Sequence, residues 1–218
     1  MNTSAHRERW EDDPSRPLTR RRLVAAALDL VDEGHEDLLS MRMLAKRVGR
    51  QVSSLYNHVT NRAELVEMMR AHLVENVDAD GFVDAPWNVA LERWARSYFE
   101  AMAEHPYLGR LLASTPPQDP STMKMYEAVA SGLVAAGWPV SQAVAVLRSV
   151  ESLVIGSVQD LTGPELGLHS GEISGELSTL ALAMSPEHVR TNTAAAAFDV
   201  GITAIVEGLS RLPGAPAA

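Results

Sequence analysis

The stretch "SMRMLAKRVGRQVSSLYNHVTNRAEL" (residues 40–65) decides how this chain is read. Ser40 is a candidate N-cap, and Met41, Leu44, Ala45 and Val48 recur at helical spacing before Gly49 stops the run. After the glycine a very short helix is expected at about 52–58, with Val52, Leu55 and Val59 turned inward. Asn61 then caps a fourth helix, "RAELVEMMRAHLVENV", whose buried stripe is Leu65, Met68, Met69 and Leu73. Upstream, "LTRRRLVAAALDLVDEG" (18–34) has Thr19 as cap, Leu23, Ala26, Ala27, Leu30 and Val31 at helical spacing, and Gly34 as a stop. A short helix, a glycine able to take positive φ and a second short helix have the spacing of a helix-turn-helix. In that motif the second helix enters the major groove of DNA by its N-terminal end.

The polar side chains and the charge agree with that reading. With the apolar positions inward, Gln51, Ser53, Ser54, Tyr56, Asn57 and His58 are left free. Their short to medium tips suit base edges and phosphates, and Arg50 or Gln51 can make bidentate contacts to guanine or adenine. The chain has 218 residues and a formal charge of -9, unevenly spread. Residues 14–62 hold nine Lys/Arg against five Asp/Glu, whereas residues 63–218 carry a net charge of -11. A basic head on an acidic body fits a polyanion partner at the head and repulsion of the body from it. Arg20, Arg21 and Arg22 are expected to form an exposed helical start, with auxiliary phosphate contacts at most. On an isolated helix Tyr56 would read as a core aromatic and His58 as a structural histidine rather than as contacts, and the motif inverts that reading for Tyr56.

At these residues the chain resembles the N-terminal domain of the TetR family of one-component transcriptional repressors. The likeness spans about residues 18–76: the glycine turn, the Leu55-Tyr56-x-His58-Val59 core and the Asn61-Arg62-x-x-Leu65 opening of the fourth helix. It implies that Arg42, Gln51, Ser53, Ser54, Tyr56, His58 and Arg62 touch DNA. Arg50 stands where the family usually has a small apolar residue. Either its side chain reaches out of the turn to a phosphate, or the third helix is tilted.

Beyond residue 78 the linker "DADGFVDAP" leads into a second helical region. "WNVALERWARSYFEAMAEH" (87–105) sets Leu91, Trp94, Ala95, Tyr98 and Met102 on one face, and a break at His105-Pro106 precedes the short "YLGRLLAS". A further helix is expected at roughly 120–136. The Trp94, Tyr98 and Met102 stripe is either core packing or one wall of a cavity, and the resemblance implies the wall of an effector pocket. The same resemblance, aligned without gaps from Trp87, puts Leu112 where tetracycline-binding members use a metal-coordinating histidine and Pro116 where they use an arginine. It retains Thr115. A largely apolar, aromatic or polycyclic effector is therefore expected, with polar help from groups such as Asp160. Helices at 141–161 and 186–212 are rich in small residues and apolar on more than one face, and the resemblance implies that they pair with a second copy of the chain. The Gly- and Ser-rich residues between them are expected to form a mobile loop or short helix over the pocket mouth.

Several function classes drop out. The chain has no cysteines and no HExxH, P-loop, GxGxxG or GxSxG, so neither an enzyme nor a cofactor is expected. The nearest metal-like pair, His169 with Glu172, reads as solvated polar residues. Residues 1–18 lack the apolar core of a secretory signal and no run of 18 apolar residues occurs, so a cytoplasmic protein with no membrane partner is expected. The expected architecture is all-α: a flexible N-terminal arm (1–17), a three-helix helix-turn-helix DNA-binding domain with its long fourth helix (18–76), and an effector-binding and dimerisation domain (77–218). The expected function is a ligand-responsive repressor that binds a palindromic double-stranded DNA operator as a homodimer and is released by a small-molecule effector. The alternative is a helical protein-interaction module, or a small-molecule-binding protein without a DNA function.

Overall fold

Thr19, in extended backbone at φ -127° and ψ 159°, accepts from Arg22 N at 3.2 Å and starts α1 (Arg20–Asp32). Ser40 and Asn61 do the same for α2 (Met41–Arg47) and α4 (Arg62–Val74), accepting from Met43 N at 3.2 Å and Glu64 N at 2.9 Å. Between these two lies α3 (Val52–Leu55), a single turn. The structure, a computed structural model, describes residues 17–33, 39–163, 178–189, 191 and 193–217, and among them every regular element is helical. The stop at Gly34, the arm through residue 16, the Gly- and Ser-rich stretch 164–177 expected over the pocket mouth and, within it, the pair His169 and Glu172 lie outside the described residues.

The head has its own core. Leu23, Ala27, Leu44, Leu55, Val59 and Leu65 are buried together, so the inward positions of the three short helices meet as expected. One expectation fails: Arg20 and Arg21 are exposed, but Arg22 is buried. The cause is that α1 packs against α2, α4 and, from the second region, α6, which leaves it little solvent-facing surface.

The linker at 78–86 is not a loose connection. Asp80–Val83 forms a 3-10 turn packed on α5 (Trp87–Ala103) and α7 (Pro120–Ala135), and Phe82 enters the space left by Gly132 of α7. A Cβ at Gly132 would lie 2.4 Å from Phe82 Cβ and Cγ, the stiff base of that ring. Gly132→Ala is therefore expected to destabilise the protein by about 1–3 kcal/mol through overpacking, outweighing the better helix propensity of alanine. Thermal unfolding of the purified variant checks this, and an unchanged or raised Tm would refute the packing described.

The second region is layered around α5. α6 (Leu108–Ser114) follows the turn at His105-Pro106, α7 starts from the Asp119 cap with Pro120 at its first position, and α8 (Val140–Asp160) packs on α5, α6 and α7. Edge-to-face Trp87 and Trp138 (centroids 5.2 Å apart) and stacked Phe99 and Phe198 (4.3 Å) fill the ends of this core. The helix expected over 186–212 is broken. After the short α9 (Ser178–Ala183) come α10 (Pro186–Val189) and α11 (Ala194–Leu209). Thr193 sits in extended backbone and caps α11 by accepting from Ala196 N at 3.1 Å, because a threonine hydroxyl satisfies the free N–H groups of a new helix start.

Candidate DNA-reading head and ligand wall

The turn between α2 and α3 is a regular Schellman end. Gly49 takes φ 64°, its N–H donates to Lys46 O at 3.3 Å, and Arg50 N–H donates to Ala45 O at 2.9 Å. Arg50 is thus accommodated without distortion of the turn, its side chain partly buried. Beyond it, Gln51, Ser53, Tyr56 and Asn57 are exposed, with Ser54 and His58 partly so, while Leu55 and Val59 are buried. Tyr56 keeps 51% of its surface, so it is no core aromatic. Arg42 is exposed on α2.

A clasp holds this surface in place. Glu64 accepts from Thr60 N at 2.6 Å, from Thr60 Oγ1 at 2.7 Å and from Arg20 at 3.0 Å, and Arg20 Nε donates to His58 O at 3.0 Å. The Thr60 hydroxyl and N–H, helped by Arg20, hold the Glu64 carboxyl below its ordinary pKa. A depressed carboxylate stabilises the fold above its unfolded pKa, so the clasp is present at neutral pH and lost under acid conditions. Arg62 Nε donates to Leu39 O at 2.9 Å, which fixes the stem of that exposed side chain at the head of α4.

The same helix reaches the second region through a buried ion pair that the sequence reading did not single out. Arg70 Nε donates to Glu67 Oε1 at 2.8 Å, and Arg70 Nη2 donates to Leu112 O at 3.0 Å and to Thr115 O. The other oxygen of Glu67 accepts from Gln118 N at 2.5 Å and Asp119 N at 3.1 Å. Arg70 thereby holds the end of α6 and Glu67 the start of α7. A second joint pairs His105 Nδ1, after α5, with Asp32 Oδ2 of α1 at 2.8 Å.

Trp94, Tyr98 and Met102 lie fully buried along α5, with Trp94 and Tyr98 centroids 5.8 Å apart, and Leu112 is buried near them in the same core. Thr115 is turned back on its own helix and donates to Leu111 O at 2.9 Å. Asp160 is exposed at the end of α8 and does not join the wall. The polar atoms beside the aromatic stripe belong instead to Tyr126 of α7, which donates to Glu151 of α8. Burial, and next the negative charge of Glu151, push the Tyr98 hydroxyl up to about 12, and burial likewise pushes Tyr126 up, so both are neutral donors at physiological pH. Among the described residues no group of three or more His, Asp or Glu is placed to hold a metal ion.

The profile of the family described as "Tetracyclin repressor-like, C-terminal domain" matches residues 83–212. The chain belongs to the tetracycline-repressor-like family. Its members are transcription factors and not enzymes, so the chain is a helix-turn-helix transcriptional regulator. It is 29% identical over 193 residues to the class A tetracycline repressor protein from transposon 1721 of Escherichia coli, covering 87% of this chain and 89% of that protein. Among solved structures, a possible TetR family transcriptional regulator from Streptomyces coelicolor superposes with a TM-score of 0.75 at 29% identity, covering 87% of this chain and 98% of that one. A tetracycline-repressor variant from Acinetobacter baumannii, crystallised in complex with minocycline, superposes with a TM-score of 0.74 at 26% identity, covering 93% and 98%.

Proposed function

We propose that this regulator is a repressor that binds a palindromic DNA operator as a homodimer and is released by a small, largely apolar effector. The domain division follows: residues 18–76 read DNA and residues 77–218 bind the effector and the second subunit. The observation that carries the reading is the position of α4. One end is bound into the DNA head by Asn61, Arg62 and Glu64, and one to two turns on, Glu67 and Arg70 hold α6 and α7 beside the aromatic stripe. A ligand that separates α6 from α7 changes what α4 is fastened to, and so favours one head position over another. Coupling of this kind is worth about 1–3 kcal/mol in operator affinity.

Homodimerisation is supported by α8 and α11, which pack on each other yet leave large aliphatic side chains outside: Val140 is 74%, Val144 60% and Val200 73% exposed. An apolar groove lined by Val146, Ser149, Leu209 and Leu212 continues that face. In the DNA head we assign base reading to Gln51 and Arg50, phosphate contacts to Arg42, Ser53, Ser54, Tyr56 and Arg62, and an auxiliary contact to His58. In the second region Trp94, Tyr98 and Met102 form the effector wall, with Leu112 and Thr115 at its end.

Minocycline lies in one structural relative, but a metal-chelated tetracycline is not the effector proposed here. Leu112 offers no lone pair to a cation, and its backbone carbonyl is already taken by Arg70. Tryptophan fluorescence titration is expected to show no Mg²⁺-dependent quenching by tetracycline at micromolar concentration, and quenching abolished by a chelator would overturn this. A gel shift with random DNA at low salt separates the repressor from an interaction module of the same shape, since only the repressor binds.

A further inference from the structure

On α8, Leu147, Val154 and Val158 are buried along one inward stripe, and Glu151 stands among them at helical spacing. Glu151 is partly buried there, so its carboxylate gives up part of its hydration, and a single hydroxyl does not replace it. It has about four lone-pair sites, and among the described residues only Tyr126 donates to it. Two further groups on the neighbouring helices are unanswered: the Trp94 Nε1–H and the Thr122 hydroxyl are buried without a hydrogen-bond partner among the described residues, while the Tyr98 hydroxyl lies within reach of Tyr126 and Arg70. Thr122 lies one turn before Tyr126 on α7, and Trp94 one turn before Tyr98 on α5. Arg70 reaches the Tyr98 hydroxyl and acts on both tyrosines, but its charge is balanced by Glu67 at 2.8 Å, so the negative charge of Glu151 is not matched by a cation of its own. Packing alone is better served by leucine at this position, and an underused carboxylate among unsatisfied donors marks a binding centre.

We propose that Glu151, flanked by Tyr98 and Tyr126, recognises a protonated amine carried by an aromatic effector. The inference rests on the effector reading above and names the class of ligand for that site. The ammonium N–H groups donate to Glu151, the tyrosine rings present their negative faces to the cation, and Trp94 meets the aromatic body with its Nε1–H free for an acceptor on it. A neutral alcohol leaves the carboxylate uncompensated, and a carboxylic acid is repelled by it.

The test uses three probes of one shape, 1-naphthylmethylamine, 1-naphthalenemethanol and 1-naphthoate. Each is titrated into the full-length protein without DNA, at about 0.3 M salt so that the acidic surface does not gather cations on its own. The amine is expected to bind at least about tenfold more tightly than either partner, from a charge-assisted bond and the ring faces together. Glu151→Gln should bring it down to the level of the alcohol. Tyr126→Phe, which keeps the carboxylate and removes its donor, should preserve the preference, so the inference does not depend on one variant folding. Equal binding of all three probes would overturn the charge selection while leaving the effector reading in place. Binding of none at millimolar concentration would overturn both.

Discussion

Arg70→Met is expected to destabilise the protein by about 3–5 kcal/mol, the cost of breaking a buried pair from one side. Only 3% of Arg70 and 7% of Glu67 is exposed, so the Glu67 carboxylate left behind has little access to bulk water. It retains Gln118 N and Asp119 N, while the carbonyls of Leu112 and Thr115 lose their donor. The double variant Glu67→Gln with Arg70→Met removes both charges and should recover part of the loss, a non-additivity that denaturant unfolding of all three variants measures. It should also remain a DNA binder with a weakened response to effector, because the head then lacks its tie to α6 and α7. A single variant within about 1 kcal/mol of the parent protein would mean that the pair is not the strut described.

Operator affinity is expected to fall about 10³- to 10⁵-fold between about 50 and 200 mM salt, as for a protein that neutralises about 6–10 phosphates through two basic heads. Tyr56→Phe should lower affinity for every sequence alike by removing a phosphate donor, whereas Gln51→Ala should also relax the preference at one base pair of each half-site, by about 1–3 kcal/mol. Both side chains are exposed, so neither change disturbs the core. Anisotropy titrations on DNA selected from a random pool check these effects. Unaltered base preferences in Gln51→Ala would remove that side chain from the base-reading set.

The head was legible because its signals are local. Ser40, Gly49 and Asn61 act within four residues of themselves, as caps and as a left-handed turn, and all three do so. The joint was not legible. Glu67 and Arg70 stand in a helix whose apolar stripe is plain, and charged residues beside such a stripe read as solvent-facing. Their burial is created by the ends of α6 and α7, more than forty residues away. Arg22 was misread for the same reason. The break before α11 was hidden because the helix-compatible start at Pro186–Val189 and the alanines at 194–197 read as one helix across the Thr193 cap. Asp160 drew notice as a polar residue near an expected pocket, yet it sits nine positions beyond Glu151, on the opposite side of the same helix. Spacing alone could have pointed to Glu151, which falls on the stripe of Leu147, Val154 and Val158.

If one helix couples a two-headed DNA grip to an effector site, footprinting of the purified protein on selected DNA, with and without a ligand found by thermal shift, will show it. Two-fold symmetric protection is expected, with half-sites one helical turn or slightly more apart, about 34–36 Å. That protection should be lost when the ligand is added, and should persist with the same ligand in the variant carrying both Glu67→Gln and Arg70→Met. Protection of one asymmetric site, or symmetric protection indifferent to a ligand shown to bind, would contradict it.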